Sequence, residues 1–104
     1  MTASQIARIA GFNASLNTRG VSVSLEGASL KLVALVEDRG VEFDGFEVGQ
    51  IDTQPTKIHV LNTDLGTAAI NHGDILKEDE SGRRHRVLRR ESYDIKTVFV
   101  CTLE

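Results

Sequence analysis

The sequence predicts a small all-β domain, mainly antiparallel, built as a β-barrel or sandwich of about six strands with a short N-terminal helix and a short helical turn. Apolar and polar residues alternate along residues 21–25, 30–36 and 57–60, and this two-residue period is typical of half-buried strands. Turn-forming pairs such as Gly27-Ala28 separate the runs. A chain of 104 residues suits one domain, residues 1–104.

The N-terminal segment, residues 1–20, is expected to be a helix or an arm. Ser4 is a plausible N-cap, and Ile6 and Ile9 follow it at helical spacing. Gly11 and Asn13 weaken the continuation, so we expect the helix to end at about residue 10. A frayed arm is the alternative.

A β-hairpin is predicted next. Val21, Val23 and Leu25 alternate with polar residues, Gly27-Ala28 permits a tight turn, and residues 30–36 continue the alternation.

Residues 37–56 are expected to form a long, mobile, acidic loop. Phe43 and Phe46 stand there among acids that include Glu42, Asp44 and Glu47. Loops longer than about 12–15 residues are uncommon unless functional or disordered. The segment is therefore interpreted either as a partly ordered surface loop or as a partner-binding arm that becomes ordered on assembly.

Turn residues organise the next segment, after a third strand around Ile58 and Val60. We expect Thr63 and Asp64 to cap a helical turn over residues 65–70. Gly73 would release the chain from that turn, and Asp74 would begin a fourth strand that ends at Lys77. These four turn positions are interpreted as structural: Thr63, Asp64, Gly73 and Asp74.

Two more strands close the chain. Ser81-Gly82 is predicted to be a hairpin turn, with residues 78–80, all acidic, facing Arg83 and Arg84 across it. Residues 83–90 form the fifth strand, and residues 95–103 form the last.

No grouping of side chains predicts catalysis, so we expect neither enzymatic activity nor a metal or cofactor. His59, His72 and His85 lie on separate elements without a recognised metal-ligand spacing, and we interpret them as solvated. Cys101 lies among apolar neighbours in a strand, which is typical of a buried thiol. No phosphate-binding glycine motif occurs.

Five arginines occur within residues 83–90, and they are the strongest local signal. In a strand they would alternate between two faces. Three interpretations stay open: a basic face for single-stranded nucleic acid, which would lack aromatic stacking platforms; a subunit or partner interface that pairs with acids such as the loop of another copy; and a solvated strand paired with nearby acids. The arginines are Arg83, Arg84, Arg86, Arg89 and Arg90.

The overall charge and the termini favour a soluble protein. A net charge of -3 does not favour general nucleic-acid binding. The first residues lack the pattern of a signal peptide, and the most apolar run is too short to span a bilayer.

The segment 57–103 resembles the small head–tail joining (head-completion) proteins of long-tailed phages, the lambda-type attachment family. The shared pattern is a strand, a Thr-Asp pair, an apolar turn, a Gly-Asp pair and closing strands. Its residues here are Ile58-His59-Val60, Thr63-Asp64, Leu65 and Ile70, Gly73-Asp74, Val87, Asp94, and Val98 through Leu103.

This resemblance implies a structural protein of the virion neck, assembled in the bacterial cytoplasm, with no membrane contact. Copies would form a ring, hexameric in the virion, between a portal-side head protein and a tail-terminator-side protein, and nucleic-acid contact would be limited to packaged DNA. Interface candidates are Phe43, Phe46 and the acids beside them, with the five arginines as the opposite charge. The alternative function is a small nucleic-acid-binding barrel that uses residues 83–90.

Overall fold

The computed structural model describes residues 2–38 and 55–104. In chain order the described elements are α1 (Ala3–Arg19), β1 (Val21–Leu25), β2 (Lys31–Asp38), β3 (Thr56–Leu61), α2 (Asn62–Leu65), β4 (Ile75–Glu78), β5 (Arg84–Ser92) and β6 (Lys96–Leu103).

The six strands form a closed antiparallel barrel, which confirms the predicted fold class. Each strand bonds to two neighbours in the cyclic order β1-β2-β3-β6-β5-β4, and the pairing of β1 with β4 closes the ring. A closed barrel has no free sheet edge. The described strands therefore offer no free edge to which another protein could add a strand.

The core lies inside the barrel and consists of the alternating apolar residues that the sequence identifies. Val23, Ala34, Ile58 and Phe99 are among the buried side chains that meet there. Cys101 is also buried in this cluster, as predicted, and burial raises the pKa of its thiol to about 12. The thiol therefore packs as a small apolar group.

Helix α1 is longer than the sequence predicts. It runs to Arg19 instead of ending near residue 10, and its N-cap is Thr2, not Ser4. Thr2 and Gln5 form a reciprocal capping box, while Leu16 near the other end is buried. Packing of this kind outweighs the low helix propensity of an internal glycine.

The connection between β3 and β4 also differs from the expectation. The helical turn is Asn62–Leu65, rather than residues 65–70, and no side chain caps its start, so the predicted capping by Thr63 and Asp64 is wrong. Leu65 and Ile70 are buried against the barrel core, and their burial fixes the turn.

Gly73 lies in a turn before β4, as predicted, although β4 begins at Ile75, one residue later than expected. Gly73 has a φ of 92°, a conformation that residues with a side chain rarely adopt. The Asp74 carboxylate accepts a 2.8 Å hydrogen bond from the backbone N–H of Asn71.

The acidic loop is shorter than predicted at both ends, because β2 continues through Asp38 and β3 begins at Thr56. The expected mobility of the loop, and the candidates Glu42, Phe43, Asp44, Phe46 and Glu47, fall outside the described residues.

Strand β5 contains one irregularity, and it places the arginines before and after it on different faces of the strand. Val87 pairs with Cys101 and Arg89 pairs with Val100, so Leu88 is an extra residue in a β-bulge. A bulge of one residue exchanges the two faces for everything that follows it. After the bulge Arg90 lies opposite the buried Phe99, and Arg89 opposite Val100.

Candidate partner interface

The outer surface of β5 carries a row of arginines that are already bound to acids of the same chain. Arg84 contacts Glu26 through two hydrogen bonds of 2.6 and 3.0 Å. Arg86 donates to Glu104 at 2.9 Å, and Arg89 donates to Glu91 at 3.1 Å. We call Arg84, Arg86 and Arg89 the outer arginine row.

These contacts favour the ionised form of the glutamates that are paired with the outer arginine row. Hydrogen bonding from Arg84 lowers the pKa of Glu26, and hydrogen bonding from Arg86 lowers the pKa of Glu104. The pairs are solvent-exposed, and exposed ion pairs contribute only about 0–1 kcal/mol each. An arginine of the row could therefore replace its glutamate by another carboxylate at little cost in free energy.

The predicted pairing across the β4–β5 hairpin is only partly correct. Arg83 does lie 3.5 Å from Glu78. Arg84, however, binds Glu26, and Asp79 accepts hydrogen bonds from the hydroxyls of Ser22 and Ser24 on β1. Barrel closure brings β1 beside β4, so partners from β1 replace those expected within the hairpin.

Leu88 is exposed beside the outer arginine row. Leu88 is 40% accessible, and as the extra residue of the bulge it has no partner of its own on β6. Arginine is enriched at protein–protein interfaces, and Leu88 adds an exposed apolar side chain beside the arginines of this row.

Arg90 differs from the other four arginines. It is exposed, and no described residue forms an ion pair with it. It lies at one end of the barrel with Asn62, Thr67 and Thr97. The structure therefore separates Arg90 from the outer row with which the sequence groups it.

A second surface feature is the groove between α1 and the strands β2, β3 and β6. It has a volume of about 530 Å³ and includes Phe12, Leu35 and His59. The ring of His59 lies 3.0 Å from the Glu37 carboxylate and 3.2 Å from the Lys96 ammonium. Burial is the main cause that lowers the pKa of His59, and the contact with Glu37 opposes it.

His85 contradicts the expectation that all three histidines are solvated. It is fully buried inside the barrel, where its Nε2 atom lies 2.6 Å from Oε2 of Glu78, while its Nδ1 atom has no hydrogen-bond partner. His72 is exposed. The alternation Arg84-His85-Arg86-Val87 already places His85 on the same face as Val87, a signal that the metal-spacing criterion ignores.

The described residues contain no group of three or more His, Cys, Asp or Glu side chains arranged to hold a metal ion. Within the same ranges, no helix is both long and apolar enough to cross a membrane. The features that the described residues do bring together are charged pairs, an exposed leucine and open depressions.

No protein-family model matches the chain, and no curated protein matches it.

Replacing Glu78 by Gln should lower the free energy of unfolding by about 1–3 kcal/mol. The substitution exchanges the charged carboxylate beside buried His85 for a neutral amide, and the loss of a buried hydrogen bond to a charged group costs about that much. The measurement is urea-induced unfolding followed by circular dichroism.

Glu26→Gln is the matched control, because Glu26 forms an exposed ion pair with Arg84. It should cost less than about 1 kcal/mol. Equal losses for the two variants would contradict a stabilising role for the buried contact.

Proposed function

We propose that the chain is a phage or prophage virion protein that joins head to tail, acting through ring assembly and protein–protein contacts. It works mechanically, as a shaped spacer between a portal-side head protein and a tail-terminator-side protein, and it is assembled in the bacterial cytoplasm. The proposal assigns no catalytic step, metal or cofactor to the chain.

One observation carries the proposal: the layout of residues 57–103. Strand β3 is followed by the short helix α2, the Gly73-Asp74 turn, and three strands that complete a closed barrel. This is the order of parts, and the compact barrel with small helical additions, that the resemblance to head–tail joining proteins implies.

The outer arginine row and Leu88 are the proposed contact surface. Leu88 supplies an apolar anchor, and the arginines around it exchange their intrachain acids for acids of a neighbouring copy. The acidic residues Glu42, Asp44 and Glu47 supply the opposite charge, and Phe43 and Phe46 supply further apolar contacts. Such an exchange conserves the number of arginine ion pairs, but it also attracts the acidic residues of one copy to the arginines of the next, which salt screens, and burial of apolar surface adds to the gain.

The alternative, a barrel that binds single-stranded nucleic acid along residues 83–90, has less support. Arg83, together with the three arginines of the outer row, already has a carboxylate within reach. Each of these acids cancels a charge that a phosphate would need. The strand also lacks an aromatic residue on which bases could stack.

Deleting the coding sequence from the phage or prophage that encodes this chain should stop the joining of heads to tails. Electron microscopy of lysates should then find DNA-filled heads and complete tails as separate particles. Expression of the chain from a plasmid should restore joined virions, while expression of Leu88→Asp should restore few. Joined virions at normal abundance after deletion would contradict the proposal.

Ring formation by the purified chain should weaken as the salt concentration rises, because exposed charge pairs are screened within about 8–10 Å at physiological ionic strength. Sedimentation velocity and native mass spectrometry measure the oligomer distribution. Arg84→Glu combined with Arg86→Glu should reduce assembly further at low salt.

The control for that experiment is Lys31→Glu, which reverses one exposed charge on β2, a strand that does not neighbour β5, and should leave assembly intact. Association that is indifferent to salt and to the double reversal would contradict the charge pairing. Steeply salt-dependent binding to single-stranded oligonucleotides in an anisotropy titration would favour the alternative function.

A further inference from the structure

One end of the barrel carries a shallow, mainly polar depression, which we call the mouth basin. Its volume is about 380 Å³, within the range of roughly 300–1,000 Å³ that small-molecule pockets occupy. The α2 turn, the residues that follow it and parts of β5 and β6 contribute its lining: Asn62, Leu65, Gly66, Thr67, Ala68, Arg90, Ser92 and Thr97.

The charge of the mouth basin is uniformly positive. Arg90 is the only ionisable side chain among its described lining residues, and no described acid forms an ion pair with it. Carboxylates do line the other described depressions, through Glu37 in one and Asp94 in two. The mouth basin is thus the described depression that favours an anion.

The side-chain amide of Asn62, which lines the basin, is already engaged in hydrogen bonds within the chain. Asn62 donates to the backbone carbonyls of Tyr93 and Asp94, and its side-chain oxygen accepts from the Thr97 hydroxyl at 2.7 Å. The Thr97 hydroxyl hydrogen is therefore committed as well. The guanidinium of Arg90 and the hydroxyls of Ser92 and Thr67 remain as donors for a ligand.

The β-bulge is the reason that Arg90 lies in this basin. If β5 were a regular strand with no bulge, the alternation would place Arg90 on the same face as Arg84 and Arg86. With it, Arg90 and Ser92 lie opposite Phe99 and Thr97, on the inner side of the barrel wall. Bulges commonly redirect a side chain beside a functional site.

We propose that the mouth basin binds one phosphate group. The planar guanidinium of Arg90 would hold two phosphate oxygens, the arrangement in which arginine recognises phosphate most strongly, and the Ser92 and Thr67 hydroxyls would donate to the remaining oxygens. The same chemistry is offered by free phosphate and by a phosphate of nucleic acid. The proposal goes beyond ring assembly and does not depend on it.

Titration of the isotope-labelled full chain with inorganic phosphate, followed by amide NMR, tests the site. Sodium chloride keeps the ionic strength constant. Phosphate should shift the amide signals of Thr67, Arg90 and Ser92 in a saturable way. Arg90→Gln should weaken binding about tenfold or more, since hydrogen bonds to a charged group contribute about 1.5–3 kcal/mol.

Arg89→Gln is the matched control, because Arg89 is the adjacent residue in the sequence but belongs to the outer arginine row and binds Glu91. Its phosphate affinity should stay within about twofold of the parent chain, since exposed charges are screened by the constant salt. Ser92→Ala, which keeps the guanidinium, should weaken binding about threefold and provides a second readout if Arg90→Gln fails to fold.

Short oligonucleotides with and without a terminal phosphate distinguish the source of the ligand. Binding of unphosphorylated oligonucleotides that is sensitive to Arg90→Gln would identify the nucleic-acid backbone as the source, and binding of inorganic phosphate alone would identify the free ion. Equal effects of chloride and phosphate, equal losses in Arg89→Gln and Arg90→Gln, or shifts confined to other regions would overturn the proposal.

Discussion

The two-residue alternation of a closed barrel, interrupted once at Leu88, determines where the charges of this chain lie. The inward positions of the strands are mostly filled by apolar side chains, since burying a polar group costs free energy unless it is hydrogen-bonded. The outward positions are left for charge. The single bulge in β5 reverses this assignment partway along the most basic strand, so one run of arginines serves two surfaces.

The two surfaces differ in chemistry because their neighbours differ. Outside the barrel, Arg84, Arg86 and Arg89 each lie beside a glutamate, which yields a nearly neutral row of exchangeable pairs around an exposed leucine. Such a surface suits contact with another protein. At the mouth, Arg90 shares the basin with hydroxyl groups, and no acid is among the described lining residues, which suits an anion. The proposed neck function uses the first surface, and the mouth basin is independent of it.

The strands could be predicted from sequence because alternation is a local pattern, and the buried positions of Val23, Ala34 and Ile58 follow from it. Residues 98–101 are all apolar and all buried, so alternation does not identify which of them face the core. The length of α1 could not be predicted, since its second half is held by tertiary contacts: Leu16 is buried, and the ring of Phe12 lies 6.0 Å from the Lys96 ammonium, far away in the chain. The partners of the arginines also depend on distant residues: Glu26 meets Arg84 only because β1 closes the barrel against β4. Nothing in the run of residues 83–90 marks Leu88 as the extra residue.

The pairing of β5 with β6 is the most direct test of this account, and NMR contacts between backbone protons of the two strands measure it. With the bulge at Leu88, Arg90 lies opposite Phe99, and Arg89 opposite Val100, so contacts should join those pairs. A regular strand would instead place Leu88 opposite Val100 and Arg90 opposite Val98. Contacts between Leu88 and Val100 and between Arg90 and Val98 would show that Arg90 lies on the outer face, and they would contradict the separation of the two surfaces.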